Sequence, residues 1–183
     1  MPNTFFISDT HFGHANIIRM CERPFTSIEE MDRTLIENWN ARVSPDDDVY
    51  HLGDFAYRAE KSCVNYLKKL NGHIHLVIGN HDYKQILKQP DALAMLEEYL
   101  EATTITLPHK RAFLCHYPLA EPPKHVWIIH GHVHNTTDVE HYQTWPIIRT
   151  RERTLNASVE VNNYMPVTFD ELLRNNQRWK EQH

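Results

Sequence analysis

Five short apolar runs in this chain each stop on a side chain able to hold a metal ion or move a proton. TFFIS leads into Asp9-Thr10-His11, DVYHL into Gly53-Asp54, and HIHLVI into Gly79-Asn80-His81-Asp82. RAFLC leads into His116, and VWIIH into Gly131-His132-Val133-His134. Near-continuous apolar character suits strands covered on both faces, and flanking glycines and polar residues favour strand over helix. Ligands of open α/β sheets collect beyond the carboxyl ends of the strands, so runs of this design predict one shared pocket.

Helical patterns separate the early runs. Residues 28–43 place Ile28, Met31, Leu35 and Trp39 on one repeating face behind a capping box of Ser27 and Glu30. Shorter helices are expected over Ala15–Met20, over Lys61–Leu70 and within Asp91–Leu100, and Thr168 to Glu171 opens a C-terminal helix with a second capping box. The early order is therefore β-α-β-α-β. Later runs crowd together at 103–107, 111–115, 126–130, 141–148 and 154–161, which predicts a change to antiparallel or mixed pairing.

With 183 residues, the chain is expected to form one domain around one core. Its net charge of −5 is a poor match for a nucleic-acid backbone, so attraction for phosphate must be local and nucleic acid is not indicated as a partner. The three cysteines, Cys21, Cys63 and Cys115, form no C-x-x-C pair, and no leader-like or membrane-spanning apolar stretch is visible. A cytoplasmic location without membrane attachment is the expectation. The unusual count is 14 histidines, the commonest metal ligands and proton carriers near neutral pH.

Two divalent cations about 3.5–4 Å apart repel each other and call for a bridging carboxylate, with neutral His and Asn completing their shells. Asp54 suits the bridge. Asp9 with His11, and His132 with His134, can turn toward metal in pairs where a strand gives way to a loop, while Asn80 adds a carbonyl oxygen and His116 a nitrogen. D-x-H, G-D, G-N-H-D, a lone H and G-H-x-H, in this order over residues 9 to 134, resemble the calcineurin-like metallophosphoesterase superfamily. DTHFGHANII, the RPF of Arg23-Pro24-Phe25, HYP after Cys115 and the C-terminal VEVNNYMPVTFDEL look like its small single-domain bacterial and phage branch.

The resemblance implies one metallophosphoesterase domain over residues 1–183. Its fold is of the α/β (α+β) class, four layers with a mixed β-sandwich flanked by helices, which replaces the open-sheet picture. It further implies that Asp9, His11 and His134 hold the first metal, that Asn80, His116 and His132 hold the second, and that Asp54 bridges them. His81 is then the catalytic group facing the leaving oxygen, Asp82 orients His81 or the turn, and a hydroxide between the metals attacks. Tyr57 departs from the pattern, because many relatives carry an acid or another polar group there.

Two cations, two carboxylates and one hydroxide leave a local charge of about +1, which lets an acidic chain attract phosphate. His14 and Arg23 are candidates to grip the substrate, whereas His51, His73 and His75 read as structural. Trp127, Trp145 and Phe113 read as core, and Arg149, Arg151 and Arg153 as a solvated edge strand.

The expected activity is hydrolysis of a phosphodiester, with manganese first among the metals and iron, zinc or nickel also compatible. A small molecule or nucleotide is expected as substrate ahead of protein. A nuclease, a phosphomonoesterase or protein phosphatase, and a non-catalytic metal-binding interaction module remain open. Oligomeric state is unreadable.

Overall fold

A computed structural model describes residues 2–137 and 145–183 of the chain. Two four-stranded sheets carry the architecture. The first is fully parallel, in the order β1 (Thr4–Ile7), β2 (Asp48–His51), β3 (His73–Val77) and β4 (Glu98–Leu100). The second runs β5 (Ala102–Leu107), β6 (Lys110–Cys115), β7 (Trp127–His130) and β8 (Thr154–Asn156), antiparallel at its first pair and parallel thereafter. The two sheets with their flanking helices form the α/β architecture that the sequence led us to expect.

Alternation along the strands sorts the apolar side chains into layers. Phe5, Ile7, Val49, Ile74 and Leu76 pack under α1 (Ala15–Met20), α2 (Ile28–Asn40) and α3 (Val64–Leu67), together with Ile17, Met31, Leu35, Trp39 and Leu67. Phe6, Leu52 and Val77 turn the other way, meeting Ala112, Leu114, Ile129 and Leu155 of the second sheet. The C-terminal helix α6 (Phe169–Gln182) adds Phe169 and Leu172 to that layer and sets Trp179 against Trp145 beyond it. Among the described residues the buried apolar side chains thus fall into three clusters, where length led us to expect a single core.

The α2 face and start are as expected, but its capping box is only half made. Ser27 Oγ accepts the Glu30 N–H at 3.1 Å, whereas the Glu30 carboxylate reaches to Thr26 N at 2.7 Å. At the start of α6, Thr168 N donates to Glu171 Oε2 at 2.9 Å, the reciprocal bond of a box. The helix expected over Lys61–Leu70 contracts to α3.

Four expectations fail in whole or in part. Within Asp91–Leu100 only α4 (Pro90–Leu93) is helical, because Glu98–Leu100 instead adds three parallel rungs to β3. The run at 141–148 lies partly outside the described residues, and its remainder opens helix α5 (Trp145–Thr150). Pro146 sits in the first turn, where its missing N–H costs no intrahelical bond, and Trp145 and Ile148 bury one face. Arg149 lies in this helix and Arg151 just after it, so they form no edge strand. The run at 154–161 keeps only β8 as strand before turning, with Asn163 and Tyr164 at positive φ.

Candidate metal centre

The motifs meet where β1, β2, β3, β6 and β7 end, so residues as distant as Asp9 and His134 become neighbours. The ligand atoms of Asp9, His11 and His134 lie within 4.8 Å of one another, and so do those of Asp54, His116 and His132. Asp54 joins the groups: its Oδ2 stands 3.5 Å from His11 Nε2 and 3.6 Å from His116 Nε2. Its other oxygen, Oδ1, accepts the backbone N–H of His81 at 2.9 Å. Asn80 Oδ1 lies 3.1 Å from His116 Nε2.

The backbone at these positions is unusual. Asp9, His11, Asp54, His132 and His134 all adopt positive φ, between 50° and 72°. For non-glycine residues that region is costly, and it persists only where the surroundings enforce it. Here Asp9 N donates to Gly53 O at 3.0 Å and His11 N to Asp54 O at 3.0 Å, which lock the loop after β1 onto the loop after β2. The left-handed turns let residues two apart project to the same side.

Two glycines make the close approach possible. A Cβ on Gly79 would lie 2.4 Å from Asp54 Oδ1, and one on Gly131 would lie 1.9 Å from Ser8 Oγ and 2.5 Å from Asp9 Oδ2. Asp82 does not hold the His81 ring. Its carboxylate accepts N–H groups from Asp54 at 2.9 Å, Phe55 at 3.0 Å and Gly79 at 2.8 Å, so it clamps the turn.

The donor chemistry fits cations. His116 Nδ1 faces the Leu52 carbonyl at 2.8 Å and must donate to it, so in the neutral ring Nε2 presents a lone pair toward another acceptor, Asn80 Oδ1. Two acceptors aimed at one point are satisfied by a metal ion. His11 is 1% exposed, yet neither ring nitrogen has a hydrogen-bond partner among the described residues. His134 Nδ1 is bonded to Glu160 Oε1 at 3.0 Å, which turns Nε2 toward Asp9, the arrangement common behind metal-bound imidazoles.

Burial and neighbouring charge set the proton states of the metal-free site. Burial raises the Asp9 carboxyl, but His134, His116 and His11 together hold it well below the usual carboxylate range. Burial pushes Asp54 up to about 7 against the pull of His116. Burial takes His132 down to about 4 and His11 well below an ordinary imidazole. His134 is the exception: burial lowers it, yet Glu160 and Asp9 raise it well above 6.5.

Glu160 escaped the sequence reading, although it lies in the VEVNNY segment that carried part of the resemblance. Its side chain is 1% exposed and receives Arg23 Nε at 2.9 Å and Nη2 at 2.7 Å. Arg23 also donates to the carbonyls of Thr10 at 2.9 Å and Asp9 at 2.7 Å. The guanidinium expected to grip substrate is therefore buried behind the candidate ligands and engaged there. His14 is buried near the centre, its ring 5.4 Å from His11. His81 is half-buried, its Nε2 3.9 Å from Asp54 Oδ2 and its ring 3.9 Å from that of Tyr57. His51 is buried against Thr10, and His75 lies between Asp48 and Glu98, both outside the centre.

A family model of calcineurin-like phosphoesterases matches residues 3–181. An uncharacterized protein of Methanocaldococcus jannaschii is 38% identical over 178 residues, spanning 95% of this chain and 91% of that protein. The gene 66 protein of Mycobacterium phage L5 is 29% identical over 164 residues, 74% of this chain and 79% of that protein. A crystal structure of a protein of unknown function from Aquifex aeolicus is similar with a TM-score of 0.70, at 29% identity, over 95% of this chain and 99% of that one. The clustered His and Asp ligands are those a metal-dependent family needs, and with a match over nearly the whole length the chain belongs to the calcineurin-like phosphoesterases, hydrolases of phosphoester bonds.

Proposed function

We propose that the protein is a single-domain phosphodiesterase with a dinuclear metal centre. Asp9, His11 and His134 would hold one divalent cation, Asn80, His116 and His132 the other, and Asp54 both. The observation carrying this reading is the position of Asp54 Oδ2, 3.5 Å from a histidine of one group and 3.6 Å from a histidine of the other. When bound, the cations would act as Lewis acids, lowering the pKa of water toward about 7 and drawing in phosphate oxygens.

The chain's own residues supply orientation and a proton. His81 is tethered through its backbone to Asp54 and packed on Tyr57, which fixes its ring beside the bridge. From there it can give a proton or a hydrogen bond to the departing oxygen. Burial, then His116, lowers its pKa, so near neutral pH the ring is mostly neutral and offers its N–H as a hydrogen-bond donor, while the imidazolium, when formed, is the stronger acid. The preference for a diester rests on Arg23: all its donors serve Glu160 and backbone or core atoms, which leaves that guanidinium unable to balance the second charge of a monoester. Manganese is the first choice, and the mixed oxygen and nitrogen donors also accept iron, zinc or nickel.

Hydrolysis of bis-p-nitrophenyl phosphate with added Mn²⁺ tests the reading. Asp54→Ala should lose metal and turnover together, and His81→Ala should lose about 10²-fold or more in turnover while keeping its metal. Undiminished rates in both variants would defeat it.

A further inference from the structure

We propose that the open edge of β5 is a dimer interface, on which a second copy of this chain lays its own β5 antiparallel and joins two four-stranded sheets into one.

Within its sheet β5 pairs only with β6, through the turn Pro108-His109 that sets Leu107 opposite Lys110. The pair closing a two-residue turn exchanges backbone hydrogen bonds, so Leu107, Ile105 and Thr103 aim their N–H and C=O groups at β6. Ala102, Thr104 and Thr106 aim theirs the other way, where no backbone partner stands among the described residues. The side chains of Thr104 and Thr106 are exposed as well. Proteins blunt such edges with lysine, proline, a bulge or a very short strand. This edge has none of these: its six residues keep an unbroken register with β6 and include no charge, proline or glycine.

The strand is also complementary to itself. A two-fold axis normal to the sheet, passing beside Ile105, sets Thr104 of each copy opposite Thr106 of the other, so their outward groups satisfy one another. The same axis sets Ile105 against Ile105 of the second copy and Thr103 against its Leu107, and it keeps the apolar side chains of both copies on one face. Ile105 and Leu107 pack on the buried cluster between the sheets yet stay only partly buried at this margin, and a further strand would cover them. At the ends of the pairing, Glu101 of one copy comes beside His109 of the other, and no like charges meet. Large apolar side chains are also left exposed in the segment leading into β5: Tyr83, Met95 and Tyr99 are 49%, 38% and 48% exposed, and Tyr83 donates to Glu101 at the head of the strand. An uncharged strand whose own reverse completes its bonds, its apolar face and its end charges fits a second copy of itself.

Sedimentation of the wild-type chain over a concentration series should find a dimer that dissociates on dilution. Amide hydrogen exchange followed by NMR should slow at Thr104 and Thr106 as the dimer forms, while Thr103, Ile105 and Leu107 are protected at every concentration. Thr104→Pro deletes an N–H that serves no bond within the chain, so the fold should persist and the dissociation constant should rise by about tenfold or more. Thr104→Lys combined with Thr106→Lys sets like charges opposite each other across the axis and should leave only monomer, whereas Thr104→Val should keep the dimer. Circular dichroism establishes that the variants fold. A wild-type chain that stays monomeric throughout would overturn the proposal. So would a dimer whose Thr104 and Thr106 amides exchange as fast as in the monomer, or folded proline and double-lysine variants that dimerise with wild-type affinity.

Discussion

The two halves of the proposed metal centre are built differently. Asp9, His11 and His134 are 0%, 1% and 9% exposed, and other side chains orient them: Glu160 bonds His134, and Ser158 donates to Asp9 at 2.8 Å. In the other half only His116 is buried, Asn80 and His132 are half-buried, and His116 is aligned by the backbone carbonyl of Leu52. A ligand cluster that is dry and supported by charge releases its ion less readily than one open to solvent. The inner half should thus hold metal more tightly, and the outer half should exchange it.

The largest effect should come from a change striking both halves at once. Gly79→Ala would place a Cβ 2.4 Å from Asp54 Oδ1 and 2.5 Å from Asp54 N, and backbone cannot yield as a flexible side chain would. Displacing the shared carboxylate should cost more than the 10–100-fold typical of supporting residues, so turnover should fall beyond about 100-fold. Elemental analysis should then find both ions lost. One ion retained at full occupancy would show that the halves do not depend on a common bridge.

Glu160→Gln separates them. It keeps the shape but removes the charge facing Arg23 and His134, leaving a buried guanidinium without its carboxylate. Affinity of the tighter site should fall about 10–100-fold, while the weaker site changes little. Stability should fall by several kcal/mol in denaturant titration, on the order of the 3–5 seen when a buried pair is broken. Equal weakening of both sites in a Mn²⁺ titration would remove the distinction.

This contrast also marks the limit of what the sequence disclosed. The candidate ligands were legible because each follows an apolar run, a local signal that survives without tertiary context. Glu160 and Arg23 stand 137 positions apart, and nothing local distinguishes a buried charge pair from two solvated residues. Arg23 therefore read as a phosphate grip. The strand β4 was hidden for a related reason: Leu93, Leu96 and Leu100 have helical spacing, and only pairing with β3 makes Glu98–Leu100 a strand. The run at 141–148 was expected as a strand, and where it is described, from Trp145, burial of Trp145 and Ile148 against Trp179 makes it a helix instead.

Proton competition should sharpen the comparison by a smaller factor. His134 is raised well above 6.5, with burial opposing and Glu160 and Asp9 raising it, so near neutral pH the inner half must displace a proton to bind metal. His132 in the outer half sits at about 4 through burial, so it offers no proton there. Asp54, at about 7, is shared and cancels from the difference. As the pH rises from about 6.5, the loss of the His134 proton should make the affinity of the inner site climb more steeply than that of the outer, by at most about tenfold per pH unit, one proton's worth. Parallel pH slopes for the two sites would contradict these proton states.

The smallest effect should come from the outer rim. Tyr117 is 49% exposed, and its ring lies 4.6 Å from His132 and 5.0 Å from His116. It meets those imidazoles by edge-on contact, worth about 1 kcal/mol, and half of that ring already meets solvent. Tyr117→Ala should therefore weaken the exchangeable site by no more than about fivefold and leave the tight site and the melting temperature almost unchanged. The comparison with Glu160→Gln is decisive because both residues touch histidines of the proposed centre. One does so through a buried charge, the other through an exposed ring. If removing the ring cost the outer site as much as removing the charge costs the inner, burial and charge would not be what separates the two halves.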